Sequence, residues 1–100
     1  MFARLFQSSV DPADIDHVRR LFAEDVKPAF EAQPGCISME LFLNVRPSAG
    51  GLVEGVAISR WHTLEELERA LASRDVRESQ VRILQLLRVE PVTKTLENAG

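Results

Sequence analysis

The stretch that decides the fold is Leu52-Val53-Glu54-Gly55-Val56-Ala57-Ile58-Ser59-Arg60-Trp61. It alternates strictly. One set is Leu52, Glu54, Val56, Ile58 and Arg60, and the other is Val53, Gly55, Ala57, Ser59 and Trp61. Side chains along a strand point to alternate faces, so each set lies on one side of a sheet. The second set is small along its middle and ends in the chain's only tryptophan. A helix laid over it either leaves a pocket walled by Trp61 or packs closer against the small residues. The stretch alone leaves both open.

Upstream, Cys36 to about Val45 reads as a strand, with Ile37, Met39, Leu41, Leu43 and Val45 as an apolar face. Arg46 to Gly51 joins it to the next strand as a hairpin-type loop. Met1–Gln7 reads as the first strand, and Ser8 to Pro12 as a turn. Asp11-Pro12 is a helix start: a side-chain oxygen for the free amides, then a proline where no N–H is needed. The helix runs to about Ala32, with Ile15, Val18, Phe22, Val26, Ala29 and Phe30 on its buried stripe. Pro28 lies inside it and must kink or divide it. Pro34-Gly35 ends the segment.

Downstream, Thr63-Leu64-Glu65-Glu66 predicts a capping box. Leu64, Leu67, Ala70 and Leu71 face inward. The helix breaks around Ser73-Arg74, and Asp75 caps a second piece. In that piece Val76, Gln80, Ile83, Leu84 and Leu87 share a face. Val89–Leu96 is the last strand, with Pro91 suited to an edge.

The order is βαββαβ, the α+β, ferredoxin-like arrangement with an antiparallel sheet and helices on one side. The other sheet side carries Leu52, Val56 and Ile58 and also needs cover. Large apolar patches are rare on monomers. A second copy, sheet against sheet about a two-fold axis, is the economical cover. The expectation is a homodimer forming a dimeric α+β barrel.

One hundred residues with 45% hydrophobic content make one domain spanning 1–100. A net charge of −3 with interspersed signs offers no basic stripe, which argues against nucleic acid. No apolar run approaches the roughly 20 residues of a membrane span. The single cysteine and the absence of a leader-like start point to the cytoplasm. Two isolated histidines and one cysteine give no metal-ligand spacing. No glycine loop of the phosphate-binding type is present.

With these elements in place, the sequence resembles the antibiotic biosynthesis monooxygenase family of small dimeric α+β barrels. The residues that carry the resemblance are Pro34-Gly35 after an amphipathic helix, the strand Val56-Ala57-Ile58-Ser59-Arg60-Trp61, the junction Trp61-His62-Thr63-Leu64-Glu65-Glu66-Leu67, and Ser73-Arg74-Asp75-Val76. The resemblance implies a homodimer with one pocket per chain between sheet and helices. It implies oxygenation of quinone- or quinol-type aromatics without a cofactor, with Trp61 lining the pocket. An asparagine on that face in the quinone oxygenases is Ala57 here. The histidine that the haem-degrading branch places near Gln80 is missing, and its strand-one asparagine is replaced by Leu5 or Gln7. Haem degradation is therefore disfavoured.

Such chemistry asks for an apolar pocket, groups that favour an electron-rich anion, and exclusion of water. Trp61 and His62 are the candidate catalytic residues, and Phe22, Ser59, Leu67 and Gln80 the candidate substrate contacts. Phe22, Leu67 and Trp61 supply the wall, and Ser59 and Gln80 the hydrogen bonds. A base comes from His62, from Glu40 or from the substrate's own acidity. Each has a plainer reading: His62 as an exposed turn residue, Glu40 as the partner of Arg4 or Arg60, Gln80 as the partner of a backbone group. His17 belongs to the wet helix face, and Cys36 is a small buried hydrophobe. No metal and no cofactor is called for. The alternatives to an oxygenase of phenols or quinols are a non-catalytic binding protein on the same barrel and an isomerase or cyclase working without oxygen.

Overall fold

A computed structural model describes residues 1–100. Four antiparallel strands form one sheet in the order β2-β3-β1-β4. They are β1 (Phe2–Val10), β2 (Cys36–Leu43), β3 (Val53–Trp61) and β4 (Val92–Glu97). Helices α1 (Ile15–Leu21), α2 (Lys27–Glu31), α3 (Leu64–Ala72) and α4 (Arg74–Leu84) complete the ferredoxin-like α+β fold.

The registers fix the two sheet faces. Opposite residues of an antiparallel pair share a face. Phe6 lies opposite Ala57 and Thr93, and Arg4 opposite Ser59 and Thr95, on the inner side that the helices cover. Leu5 lies opposite Ile58 and Lys94, and Gln7 opposite Val56 and Val92, on the outer side. The core cluster joins Phe22, Val26 and Phe30 from the first helical segment with Met39, Trp61, Leu67, Ala70 and Val76.

The first helical segment divides where the proline requires it. Asp11 caps it, its carboxylate accepting from the Ala13 N–H at 2.8 Å. A π-helical turn, Phe22–Val26, separates α1 from α2, and the Lys27 N–H reaches back to the Phe22 carbonyl. Pro28 follows directly. Its ring would clash with the carbonyl four residues earlier in a regular helix, and the wider turn relieves that clash.

β1 runs three residues past the expected boundary. Ser8 and Ser9 read as a turn, but the alternation continues: Ser8 and Val10 are buried on the inner face. The Ser8 hydroxyl donates to the Val89 carbonyl at 2.6 Å, which removes the usual cost of burying it.

β2 departs from simple alternation at its start. A bulge between Cys36 and Ser38 shifts the register. Ile37 is thereby turned outward and is 44% exposed, while Cys36 packs against the core. Val45 lies beyond the strand and is exposed. β2 is an edge strand, and the first helical segment covers it. Lys27 Nζ donates to the Met39 carbonyl at 2.8 Å, and the Met39 N–H donates to Glu31 at 3.4 Å. The two side chains also pair with each other at 3.2 Å.

Thr63 caps α3, accepting from the Glu66 N–H at 3.1 Å. The expected reciprocal bond takes another form, in which the Thr63 hydroxyl donates to the Glu66 carboxylate at 2.9 Å. This carboxylate lies against Gly35, which has φ 84° and no room for a Cβ. α4 is capped by Ser73, not by Asp75. The Ser73 hydroxyl, two residues earlier, accepts from the Val76 N–H, and Glu78 pairs with Arg74 instead.

Candidate functional site

The small residues of β3 do two different things along one strand. At its C-terminal end the helices pack solidly. Trp61 is 0% exposed and its ring meets Phe30 with centroids 6.4 Å apart. The indole Nε1 donates to Ser59 Oγ at 2.9 Å. At the middle of the strand the helices stand clear of the sheet. Gly55 and Ala57 have no bulk to fill the gap, and a cavity of about 70 Å³ remains. One water needs roughly 10–15 Å³ by this kind of measure, so the space holds more than a single solvent molecule.

The sheet side of the cavity is Phe6 of β1, Leu41 of β2 and Ala57 of β3. The helix side is Val18, Phe22 and Val26, with Gln80, Ile83 and Leu84 of α4. Apolar lining of this sort suits an aromatic or aliphatic body. Three polar side chains reach it: Arg4, Ser8 and Gln80. Ser8 is already committed to Val89. Arg4 and Gln80 make no side-chain hydrogen bond or ion pair among the described residues. The Arg4 guanidinium lies 5.8 Å from the centre of the Phe6 ring. Burial holds its pKa below the usual arginine value. Among the described residues, no acid and no histidine lines the cavity.

Of the residues singled out from sequence, the cavity brings together Phe22 and Gln80. Trp61, Ser59 and Leu67 lie in the filled interior instead and contribute nothing to its lining. His62 is exposed in the turn after β3, where its backbone N–H donates to the Gly35 carbonyl at 3.0 Å. Glu40 is on the outer sheet face, paired with Arg60, and Arg60 also reaches Ser38. Arg4 is on the other side of the sheet from Glu40, so the pairing weighed between Arg4 and Arg60 falls to Arg60 alone.

Arg4 is the polar cavity residue that sequence reasoning weighed only as a partner of Glu40. The signal was present: it stands between Phe2 and Phe6 on one strand face. A lone cation between two inward phenylalanines has to be either buried or aimed at something.

The family model described as antibiotic biosynthesis monooxygenase matches residues 1–82. The chain belongs to the antibiotic biosynthesis monooxygenase family. Among solved structures, it is similar to an antibiotic biosynthesis monooxygenase with 21% identity and a TM-score of 0.78, each chain covered in full. Rv0793 from Mycobacterium tuberculosis shares 21% identity at a TM-score of 0.72, with 99% of this chain and 95% of that one covered. A variant of SnoaB, a cofactor-independent oxygenase from Streptomyces nogalater, shares 17% identity at a TM-score of 0.71, covering 99% and 94%. At such identities these likenesses concern the fold. No curated protein matches the sequence. Ile83, Leu84 and Leu87, which close one side of the cavity, lie beyond the matched segment of this monooxygenase-family chain.

Proposed function

We propose that this chain is a monooxygenase that acts on a small phenol or quinol without metal or flavin, as a cytoplasmic homodimer. The observation that carries the reading is the apolar cavity over Gly55 and Ala57, in a chain of this family. Phe22 and its neighbours flank the ring, and the Gln80 amide fixes its orientation. Ser59 and Trp61 act from beneath, as the rigid support of β3.

A phenol carries the electrons that the reaction needs. Its ionised form is electron-rich enough to react with O₂ directly. One oxygen atom enters the ring, the other leaves as water, and the phenol becomes a quinone, so atoms and electrons balance without a further reductant. The protein's part is to hold the ring, exclude bulk water and stabilise the anion by fixed dipoles and charge.

The homodimer is supported by the outer sheet face. Phe42, Val92 and Leu96 are each about half exposed there, beside Leu5, Val56 and Ile58. A second sheet laid on this face would cover them.

The test is oxygen uptake with a panel of phenols and quinols, before and after Ala57→Leu fills the cavity. Uptake that depends on the compound and is suppressed by the substitution supports the reading. Uptake unchanged by a filled cavity removes it. The second reading, a binding protein without turnover, is favoured by the lack of any acid or histidine in the lining. It predicts saturable binding of the same compounds with no oxygen consumed.

A further inference from the structure

Arg4 is the one charged residue that lines the cavity, and nothing in the lining neutralises it. Taking a cation out of water costs free energy unless it is paired. A guanidinium nevertheless stays charged at neutral pH, because its pKa lies so far above it. The Phe6 ring holds one side of Arg4, and a cation resting on an aromatic face keeps its N–H edge available. The nearby Gln80 amide has no partner among the described residues either. The residues around an otherwise apolar cavity therefore include one cation and one amide that have no hydrogen-bond or ion-pair partner among the described residues.

We propose that the cavity takes its aromatic ligand as the ionised oxyanion, with the Arg4 guanidinium holding the oxygen and the Gln80 amide orienting the ring. This rests on the reading of the cavity as a phenol site and assigns its selecting group. A charge-assisted N–H···O⁻ bond is about twice as strong as a neutral one. The cavity offers no base, so ionisation follows from Arg4 favouring the anion. The proton goes to bulk water as the phenolate enters.

The probes are 4-nitrophenol, which is yellow only when ionised, and its methyl ether 4-nitroanisole, which has nearly the same shape and cannot ionise. In the wild-type protein the pKa of bound 4-nitrophenol falls by about one unit or more, a tenfold preference for the anion. The ether binds at least tenfold more weakly than the phenolate. Arg4→Met abolishes the shift while the ether still binds saturably, which shows that the cavity persists. Arg4→Lys keeps part of the shift.

A wild-type pKa that is unchanged or raised overturns the proposal, whether or not the variants fold. So does a shift that survives Arg4→Met, or a failure of both probes to bind. The measurement needs no oxygen. Anion selection without oxygen uptake sinks the oxygenase reading and leaves this one standing. Uptake without anion selection does the reverse.

Discussion

The indole N–H of Trp61 donates to the hydroxyl of Ser59, two residues earlier on the same face of β3, at 2.9 Å. Both groups are buried, and each satisfies the other. This is why a tryptophan can be wholly enclosed at a strand end. Ser59→Ala leaves the indole N–H buried without an acceptor, and the expected loss is about 1–3 kcal/mol. Trp61→Ala removes the ring itself and costs about 3–5 kcal/mol. Denaturant unfolding of the two variants checks both values. A Ser59→Ala protein as stable as wild type would mean that the indole finds another partner.

Ala57→Leu places a side chain in the cavity floor. The space exists, so the expected stability change is within about 1–3 kcal/mol, the range for overpacking. Binding of 4-nitroanisole should fall at least tenfold, read by equilibrium dialysis. Ser59→Ala, which lies outside the lining, should leave that binding within about twofold at a temperature where the variant is folded. Equal losses for both variants would show that binding follows stability rather than cavity space.

Cys36 gives a test of local electrostatics. Burial, with the Glu31 carboxylate nearby, pushes its thiol up from the ordinary cysteine range. A raised pKa means less thiolate at neutral pH, and the thiolate is the reactive form. Alkylation by iodoacetamide at about pH 7.5, below the thiol's pKa, should therefore run slower than for a free cysteine peptide. Glu31→Gln removes one cause of the upward shift and should speed alkylation, whereas Lys27→Met removes an opposing charge and should slow it further. Mass-spectrometric time courses decide the order.

The outer face predicts its own disruption. Ile58→Glu puts a charge between Leu5 and Glu40, at the centre of the apolar patch. Sedimentation should find the wild type as dimers and the variant as monomers. A wild type that sediments as single chains at about 50 micromolar, where a dimer of micromolar Kd is mostly assembled, would remove the sheet-to-sheet assembly.

Periodicity was enough to find each strand and helix, because apolar spacing at two and at 3.6 residues is carried mostly by side chains that must be buried, but the last strand begins at Val92 rather than Val89, and its side chains are exposed in the single chain. It failed where one backbone event changed the phase. The bulge at Ile37 exchanged the roles of Cys36 and Ile37, and no residue type there announces it. Ser8 and Ser9 look like turn residues, and only the distant Val89 carbonyl makes Ser8 acceptable in a strand. The cavity was half legible. The small residues marked the right face, but whether a helix closes over them depends on the opposite wall. Phe30 packs against Trp61, whereas the wall of Phe22, Val26 and Ile83 leaves a space over Ala57. Arg4 was weighed only as a partner for Glu40, because the sequence does not show that the two stand on opposite sides of the sheet.

The grip of Lys27 and Glu31 on Met39 has a consequence for aggregation. Sheets extend into fibrils by adding strands along unpaired margins, and a chain that propagates needs two such margins. On β2 the backbone groups of Met39 are already engaged by side chains of the same molecule. A strand added on β2 must first displace these two side chains at the middle of that margin, whereas the β4 margin carries no such clasp among the described residues.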